Sequence, residues 1–467
     1  MKFINRKEEL EFLSECKSLS KKKLFTLLIS GLRRVGKTRL ILESITEKDV
    51  YFFVNENKSS MALLEEYVSL LKGRTIMTKH EAVNSWDDFF DILLGRFYGT
   101  IIFDEFQSFK KVDESILGSL QKNIDLHENK KNGLLIIFSG SLIGLLKEMF
   151  MGRKQPLYGR LKRQYLLRPL SFKHSLLFCD ELKIRNFDDA VKIYSILGGF
   201  PKYYVAIEDE SLQGSTFEQI LDSLFFRQDA PLGNEVQAIL SQELGKRSGT
   251  YYKILEAIAN GHRTISEIAS YMSSKETSLT RQIKELQNYF EIVGEEISAF
   301  TNKRRYTINH PLIAFWFRYI FPSYSNYRRK DANYLRKTKE HIHNFIGYRF
   351  EDISREFLES ENSSLQFART WGKFKGEKGK NNYEIDLVGF NVQSKEILFV
   401  ECKYKDNVDA EMILTALKEK SRYVQWMDTS RKEHFCIIAK SFKKKLNKKE
   451  CICYDLKDME KVFKNAK

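Results

Sequence analysis

Leu24-Phe25-Thr26-Leu27-Leu28-Ile29-Ser30-Gly31-Leu32-Arg33-Arg34-Val35-Gly36-Lys37-Thr38-Arg39-Leu40-Ile41-Leu42-Glu43 runs from an apolar stretch, through a turn framed by two glycines, into a helix-favouring segment. The turn fits G-x-x-x-x-G-K-[ST], and its place between a strand and a helix turns a pattern into a prediction. Without a Cβ, Gly31 and Gly36 let the backbone curl until successive N–H groups and the N-terminus of the next helix face a phosphate chain. Lys37 is expected to reach the β- and γ-phosphates of a nucleoside triphosphate, ATP by preference, and the Thr38 hydroxyl to ligate Mg²⁺. The expected nucleotide cradle is Gly31, Leu32, Arg33, Arg34, Val35, Gly36, Lys37, Thr38 and the adjoining Arg39.

Outward from this turn, short apolar runs alternate with helical stretches, the pattern of a parallel sheet covered by helices. Leu24–Ser30, Val50–Val54, Thr100–Phe103 and Leu134–Phe138 are the strand candidates, and their unbroken apolar character suits strands buried on both faces. The third run is followed at once by Asp104 and Glu105. Asp104 is expected to hold Mg²⁺ through water, and Glu105 to polarise the attacking water as general base. The fourth leads into Ser139-Gly140-Ser141, where the Ser141 hydroxyl either senses the γ-phosphate or caps a helix. Arg160, in PLYGR at 156–160, could neutralise transition-state charge in cis or across a subunit boundary.

At 467 residues the chain exceeds what one hydrophobic core supports, so several domains are expected. With 42% hydrophobic, 30% charged and 13% aromatic residues, it has the balance of a folded protein rather than a disordered one. Lys and Arg number 77 against 62 Asp and Glu, a net charge of +15; that excess favours polyanionic partners, though Lys-rich faces are as often merely solvated. Met1 to Arg6 turns charged at once and offers no secretion signal, and the longest apolar runs, such as Leu134–Phe138 and Leu312–Phe317, are too short to cross a bilayer. A cytoplasmic location with no membrane partner is expected. Cys16, Cys179, Cys402, Cys436, Cys451 and Cys453 are scattered without zinc-site spacing, so free thiols are the default.

FINRKEEL at 3–10, GLRRVGKT at 31–38, FDEFQ at 103–107, SGSL at 139–142, PLYGR at 156–160, LRPLSF at 167–172 and GGFPKYY at 198–204 together resemble the archaeal-type ATPase family. That family is one of the AAA+/STAND-related P-loop ATPases and also occurs in bacteria. The resemblance covers roughly residues 1 to 320. It implies that Asn5 and Arg6 lie near the adenine, that Ser141 is the sensor and that Arg160 contacts the γ-phosphate. Leu32 stands where the family commonly has proline, and Leu142 where it commonly has a second serine; neither change removes a catalytic group.

Residues 250–310 hold three helical patterns, Tyr251–Ala259, Ile265–Tyr271 and Leu279–Tyr289, followed by two β-like runs, the order of a winged helix-turn-helix. Thr280, Arg281, Lys284 and Gln287 line the polar side of the third pattern, and Asn302-Lys303-Arg304-Arg305 form a basic wing. Such side chains reach phosphates and base edges when the module binds DNA; the alternative is a packing module. Trp371–Asn382, rich in Gly and Lys, reads as a loop.

Tyr383–Val388 and Ile397–Lys403 read as neighbouring strands of a hairpin. Alternation puts Glu401 and Lys403 on one face, with Asp386 on the facing strand. Two carboxylates and an ammonium at one spot suit metal-dependent phosphodiester cleavage: Asp386 and Glu401 bind Mg²⁺, and Lys403 positions water or stabilises developing charge. Glu351, in the helical segment Gly347–Ile353, offers a further acid. A half-buried strand with solvated charges produces the same alternation. Residues 335 to 455 resemble the PD-(D/E)xK nuclease-like domain often fused to the C-terminus of these ATPases, with the triad intact.

The expected fold class is α/β, in four parts: a parallel-sheet P-loop ATPase domain (1–170), a helical lid-like segment (171–245), a winged helix-turn-helix (246–330) and a C-terminal α/β restriction-endonuclease-like domain (335–467). The expected function is an ATPase using ATP and Mg²⁺ and acting on or near DNA. Two alternatives stay open: a STAND-like ATP-driven switch that binds a protein partner, and an ATP-gated DNA-binding regulator without nuclease activity. Oligomeric state is not legible.

Overall fold

The computed structural model describes residues 1–129, 133–245, 248–376, 379–446 and 450–465. They form two compact units, the first comprising 1–169 with 200–202 and 288–291, the second 170–199, 203–287 and 292–467.

The first unit is built on five parallel strands: β1 (Phe25–Ser30), β2 (Val50–Phe53), β3 (Thr100–Asp104), β4 (Leu135–Gly140) and β5 (Arg163–Leu166), in the spatial order β2-β3-β4-β1-β5. Every residue of β1, β3 and β4 is buried, as apolar strands covered on both faces must be. The sequence offered no sign of β5. Its Arg-Gln-Tyr-Leu has no apolar run and no fully buried residue, because an edge strand needs only its one partner, β1. Parallel neighbours require crossovers, which helices such as Lys37–Ser44, Ser60–Gly73, Trp86–Arg96 and Ser115–His127 supply. Ser59 and Ser85 cap two of them by accepting from the N–H groups of Ala62 and Asp88.

Aromatic rings tie β2, β3 and β4 together. Phe52 stacks on Phe103 with centroids 5.2 Å apart, Phe103 on Phe138 at 6.3 Å, and Phe106 lies 4.5 Å from Phe138. Truncating one such ring to alanine costs about 3–5 kcal/mol, so the segment around Asp104 and Glu105 rests on a rigid base. Because β4 lies between β1 and β3, the loops leaving these three strands stand side by side at their C-terminal edge, where open α/β sheets bind ligands.

In the second unit, helices that include Phe172–Glu181, Phe187–Leu197 and Glu235–Leu244 precede Ser248–Ala259, Ile265–Tyr271 and Glu276–Asn288. A capping box between Thr264 and Glu267 starts the middle helix of the latter three. An antiparallel hairpin follows, β6 (Val293–Ile297) with β7 (Arg304–Ile308). After the 30-residue helix Ala332–Glu361 come β8 (Gln366–Gly376), β9 (Gly379–Asn391), β10 (Glu396–Lys403), β11 (Val408–Asp409), β12 (Lys432–Ala439), β13 (Phe442–Lys444) and β14 (Cys451–Tyr454). The main sheet has the order β14-β12-β10-β9-β8, with β8, β9 and β10 antiparallel and β12 and β14 parallel to β10. β11 and β13 pair separately.

The reading of Trp371–Asn382 as a loop is corrected. Trp371 pairs with Glu384 and Lys373 with Asn382, so the stretch is the hairpin end of β8 and β9, with 377–378 outside the described residues. Glycine and lysine density signals a turn locally, but a strand partner supplies the pairing that propensity lacks. All six cysteines carry free thiols. Among the described residues, no helix is long and apolar enough to cross a membrane.

Candidate functional site

The P-loop fills the turn between β1 and the helix Lys37–Ser44. Gly36 has φ +97°, a left-handed backbone, while at Gly31 a Cβ would lie 2.5 Å from the Leu167 carbonyl oxygen. The buried Lys37 donates through Nζ to the carbonyl oxygens of Gly31 at 2.8 Å and Leu32 at 3.1 Å, so its ammonium lies against the loop it is expected to serve. Thr38 Oγ1 donates to Asp104 Oδ2 at 2.8 Å. The structure thus brings the P-loop hydroxyl and the acid at the end of β3 into direct contact.

Tyr51, to which the sequence pointed nobody, donates its hydroxyl to the same Asp104 oxygen at 2.6 Å. Burial, reinforced by the Asp104 carboxylate, holds that phenol far above its ordinary range, so it remains a donor. Asp104 Oδ1 accepts from the Glu105 N–H at 3.0 Å. Glu105 itself sits at φ +53°, a sparsely populated region for a residue with a side chain and a kind of strain that concentrates at functional positions. Its carboxylate accepts from Gln107 Nε2, lies 3.4 Å from Ser141 Oγ and 3.8 Å from the Arg33 guanidinium. Gln107 is a second missed residue; FDEFQ displayed it, but only the short helical turn Phe106–Ser108 folds it back onto Glu105.

Of the remaining expected residues, Asn5 and Arg6 both have left-handed backbones, at φ 62° and 66°. The buried Arg6 donates to the carbonyl oxygens of Val35 at 3.3 Å and Arg168 at 2.8 Å and pairs with Glu9 at 2.6 Å, so it braces the P-loop backbone. Arg39 lies on an exposed helix face, 3.4 Å from Glu43. Arg160 is a correction to the cis expectation. Its carbonyl accepts from Thr26 Oγ1 at the start of β1, and its guanidinium forks onto Asp125 at 3.1 and 2.9 Å. At about 3.3 Å per strand residue, Thr26 is roughly 16 Å from the P-loop end of β1, so this arginine belongs to the opposite edge of the sheet.

In the second unit the hairpin read from the sequence forms as β9 and β10, with Leu387 opposite Val400. Where the ladder ends, Asp386 Oδ2 accepts from the Cys402 N–H at 2.8 Å. Lys403 Nζ lies 2.7 Å from Glu401 and 3.5 Å from Asp386. Lys420, unanticipated, comes from the helix Ala410–Ser421 and donates to both Glu401 oxygens at 2.9 and 3.0 Å. Burial, with repulsion from Glu401, raises the Asp386 carboxyl, whereas burial pulls the Lys403 ammonium down and is outweighed by the Asp386 and Glu401 carboxylates, which hold it above its usual range.

Glu351 does not join a three-carboxylate metal set. Arg369 takes its carboxylate at 3.0 Å, together with Asp352 at 3.0 Å and Glu296, and burial pushes the Glu351 carboxyl up despite that guanidinium. Among the described residues, no group of three or more His, Cys, Asp or Glu side chains converges to hold a metal. Asp386 and Glu401 are therefore a two-carboxylate site.

The expectation of an open basic wing is also narrowed. The β6–β7 hairpin docks on β8: Ser298 Oγ bonds the Trp371 N–H and carbonyl at 3.1 and 3.0 Å, and the Ala299 N–H donates to the Arg369 carbonyl at 3.0 Å. Arg305 pairs with Glu384 at 2.7 Å and lies over the Trp371 ring at 4.4 Å, and Arg304 pairs with Glu295 at 3.3 Å. On the helix Glu276–Asn288, Arg281 and Lys284 are exposed, with Arg281 2.9 Å from Glu285.

Comparison with known proteins agrees with the first unit's geometry. A family model described as an ATPase domain predominantly from Archaea matches residues 3–207, and one described as archaeal and bacterial proteins of unknown function matches 316–413. An uncharacterized protein of Methanocaldococcus jannaschii is 31% identical over 470 residues, covering 98% of this chain and 99% of its own. The Walker-type ATPase of Pyrococcus abyssi, 23% identical, superposes with a TM-score of 0.53 over 68% of this chain and 96% of its own; that likeness speaks to the fold. The Aeropyrum pernix ORC2 protein in its ADPNP-ADP complexes gives 0.48 at 15% identity over 73% and 96%. With its P-loop, its Thr38–Asp104 contact and a relative matched from end to end, the chain belongs to the family of that Methanocaldococcus jannaschii protein and is an ATP-binding P-loop ATPase carrying the archaeal ATPase domain.

Proposed function

We propose that the chain couples Mg²⁺-dependent ATP hydrolysis to action on DNA. The observation that carries the first half is the 2.8 Å contact between Thr38 and Asp104, with Glu105 next in the chain. Both donors are oxygens, the ligands a hard divalent cation takes, and Mg²⁺ held by them would neutralise charge on the phosphates. Lys37 binds the β- and γ-phosphates. Glu105, oriented by Gln107 and Ser141, accepts the proton of the attacking water. Arg6 keeps the loop in shape while the cradle N–H groups bind. Phosphate release assayed with ATP, with and without EDTA, tests this reading. Hydrolysis should stop on chelation and return with added Mg²⁺; turnover indifferent to chelation would sink it.

In this reading 1–170 is the ATPase domain, 171–245 a lid-like segment, 246–330 a winged helix-turn-helix and 335–467 a nuclease-like domain. A second activity, phosphodiester cleavage by Asp386, Glu401 and Lys403, is supported by the meeting of two carboxylates and an ammonium within 3.5 Å. Asp386 and Glu401 would hold the divalent ion and Lys403 would stabilise charge developing on the leaving oxygen. Plasmid incubated with Mg²⁺ or Mn²⁺ should be nicked by the native chain and not by Lys403→Ala. Equal, absent cleavage in both would favour the switch or regulator readings instead.

A further inference from the structure

The second unit contains a cavity of about 230 Å³ that neither acidic site uses. It opens between the end of the helix Ser248–Ala259, the end of β7 and the helix Ala332–Glu361. Three guanidinium groups line it, those of Arg263, Arg318 and Arg349, and no carboxylate does. Its apolar wall includes Phe345, Tyr319 and Tyr348, and Asn260 contributes an amide.

The nearby acids leave two of these three guanidinium groups uncancelled. Glu296, Glu351 and Asp352 converge on Arg369, which lies 5.2 Å from the Tyr348 ring. Arg263 stacks over Tyr348 at 4.1 Å, and Arg349 is 5.7 Å from the Phe345 ring centre. Arg349 spends its outer nitrogens on the Ile308 carbonyl at 3.1 Å and on Asp352 at 3.6 Å, but its Nε is buried without an acceptor. Arg318, exposed, donates to Asn260 Oδ1 at 3.0 Å. Among the described residues, neither Arg263 nor Arg318 has a carboxylate within ion-pair distance.

A buried N–H that lacks an acceptor, beside guanidinium groups that lack acids, calls for an anion with several oxygens; planar guanidinium forks match phosphate best. Aromatic faces with stacked arginines accept a planar ring, and base–aromatic stacking tolerates any base. The volume is below the roughly 300–1,000 Å³ usual for drug-sized ligands, which limits the occupant to one ring system and its phosphate. We infer that this cavity binds a single nucleoside monophosphate unit, its phosphate on Arg349, Arg318 and Arg263 and its base against Phe345 and Tyr348. Such a unit comes either as a free nucleotide or as one residue of a single strand. The site is separate from the P-loop and does not depend on the hydrolysis or cleavage readings.

The test uses the full chain carrying Lys37→Ala, which removes the P-loop lysine's contribution. Isothermal titration is run in two arms, one with 5′-AMP, 5′-GMP, 5′-CMP and 5′-UMP, the other with a short oligodeoxythymidylate. One site per chain is expected in at least one arm, weakened tenfold or more by Arg318→Glu and by Phe345→Ala. Heat in the mononucleotide arm identifies a free nucleotide, and heat confined to the oligonucleotide arm identifies a strand. Arg318→Gln serves if Arg318→Glu lowers the melting temperature, and in the native background either change should leave ATP binding at the P-loop unaltered. Absence of heat in both arms, or heat that the folded arginine variants leave unchanged, overturns the inference.

Discussion

Both sheets deliver an acidic pair near the end of an apolar strand, and they treat the charge differently. Around Asp104 and Glu105 the close donors are neutral: the hydroxyls of Thr38, Tyr51 and Ser141, the Gln107 amide and a backbone N–H, with Arg33 standing off at 3.8 Å. Around Asp386 and Glu401 the donors include two ammonium groups, Lys403 and Lys420, at 2.7 to 3.0 Å from Glu401. Neutral donors fix a carboxylate without cancelling its charge, so the first pair retains the field that attracts a divalent cation. The second pair is balanced within the protein, two carboxylates against two ammonium groups, and a metal there must compete with Lys420.

The sharpest probe of the contrast is Glu105→Gln, which keeps the shape and removes the base. Hydrolysis should fall by roughly 10²- to 10⁴-fold, the span of general-base contributions, with ATP affinity nearly unchanged; normal turnover would move the base elsewhere. Next in size, Lys37→Ala should weaken ATP binding about 100-fold, about 3 kcal/mol, the upper end for a hydrogen bond to a charged group. Titration calorimetry reads this directly, and undiminished affinity would detach Lys37 from the phosphates.

The balanced site is tested in the opposite direction. Lys420→Ala should tighten Mn²⁺ binding by about tenfold, equivalent to about 1.4 kcal/mol, because it removes the cation that spans both Glu401 oxygens. A Mn²⁺ thermal-shift titration that matches the parent would mean that Lys420 does not compete with metal. The smallest effect concerns DNA. If the helix Glu276–Asn288 meets phosphates, Arg281→Ala should reduce the salt dependence of affinity by about one unit of slope, whereas Arg305→Ala, whose guanidinium already serves Glu384 and Trp371, should not. Equal slopes for all three proteins would remove both arginines from the interface.

Gly31 to Thr38 could be recognised without coordinates because a phosphate cradle is a local object: two glycines, a lysine and a hydroxyl at fixed spacing between a strand and a helix. The acids of β3 and the Glu401–Lys403 alternation were legible for the same reason, since each depends on neighbours one or two residues away. Tyr51 and Lys420 were not. Each reaches its carboxylate across a sequence gap, 53 residues for Tyr51–Asp104 and 19 for Lys420–Glu401, and each looked like an ordinary strand or helix residue. The cis placement of Arg160 failed for the complementary reason: PLYGR is a recognisable string, but a string does not say which end of the sheet it occupies.

The sequence by itself determined the strand-turn-helix that holds the phosphates and the identity of the acids, because backbone curl and side-chain alternation are set by residues within a few positions of one another. Tertiary structure alone decided which groups surround those acids, that the β6–β7 hairpin commits Arg305 to β8 and β9, and that Glu351 goes to Arg369 rather than to a metal site. Charge compensation depends on distances across several ångströms of packed protein, and those distances exist only once strands and helices far apart in the chain have been brought together.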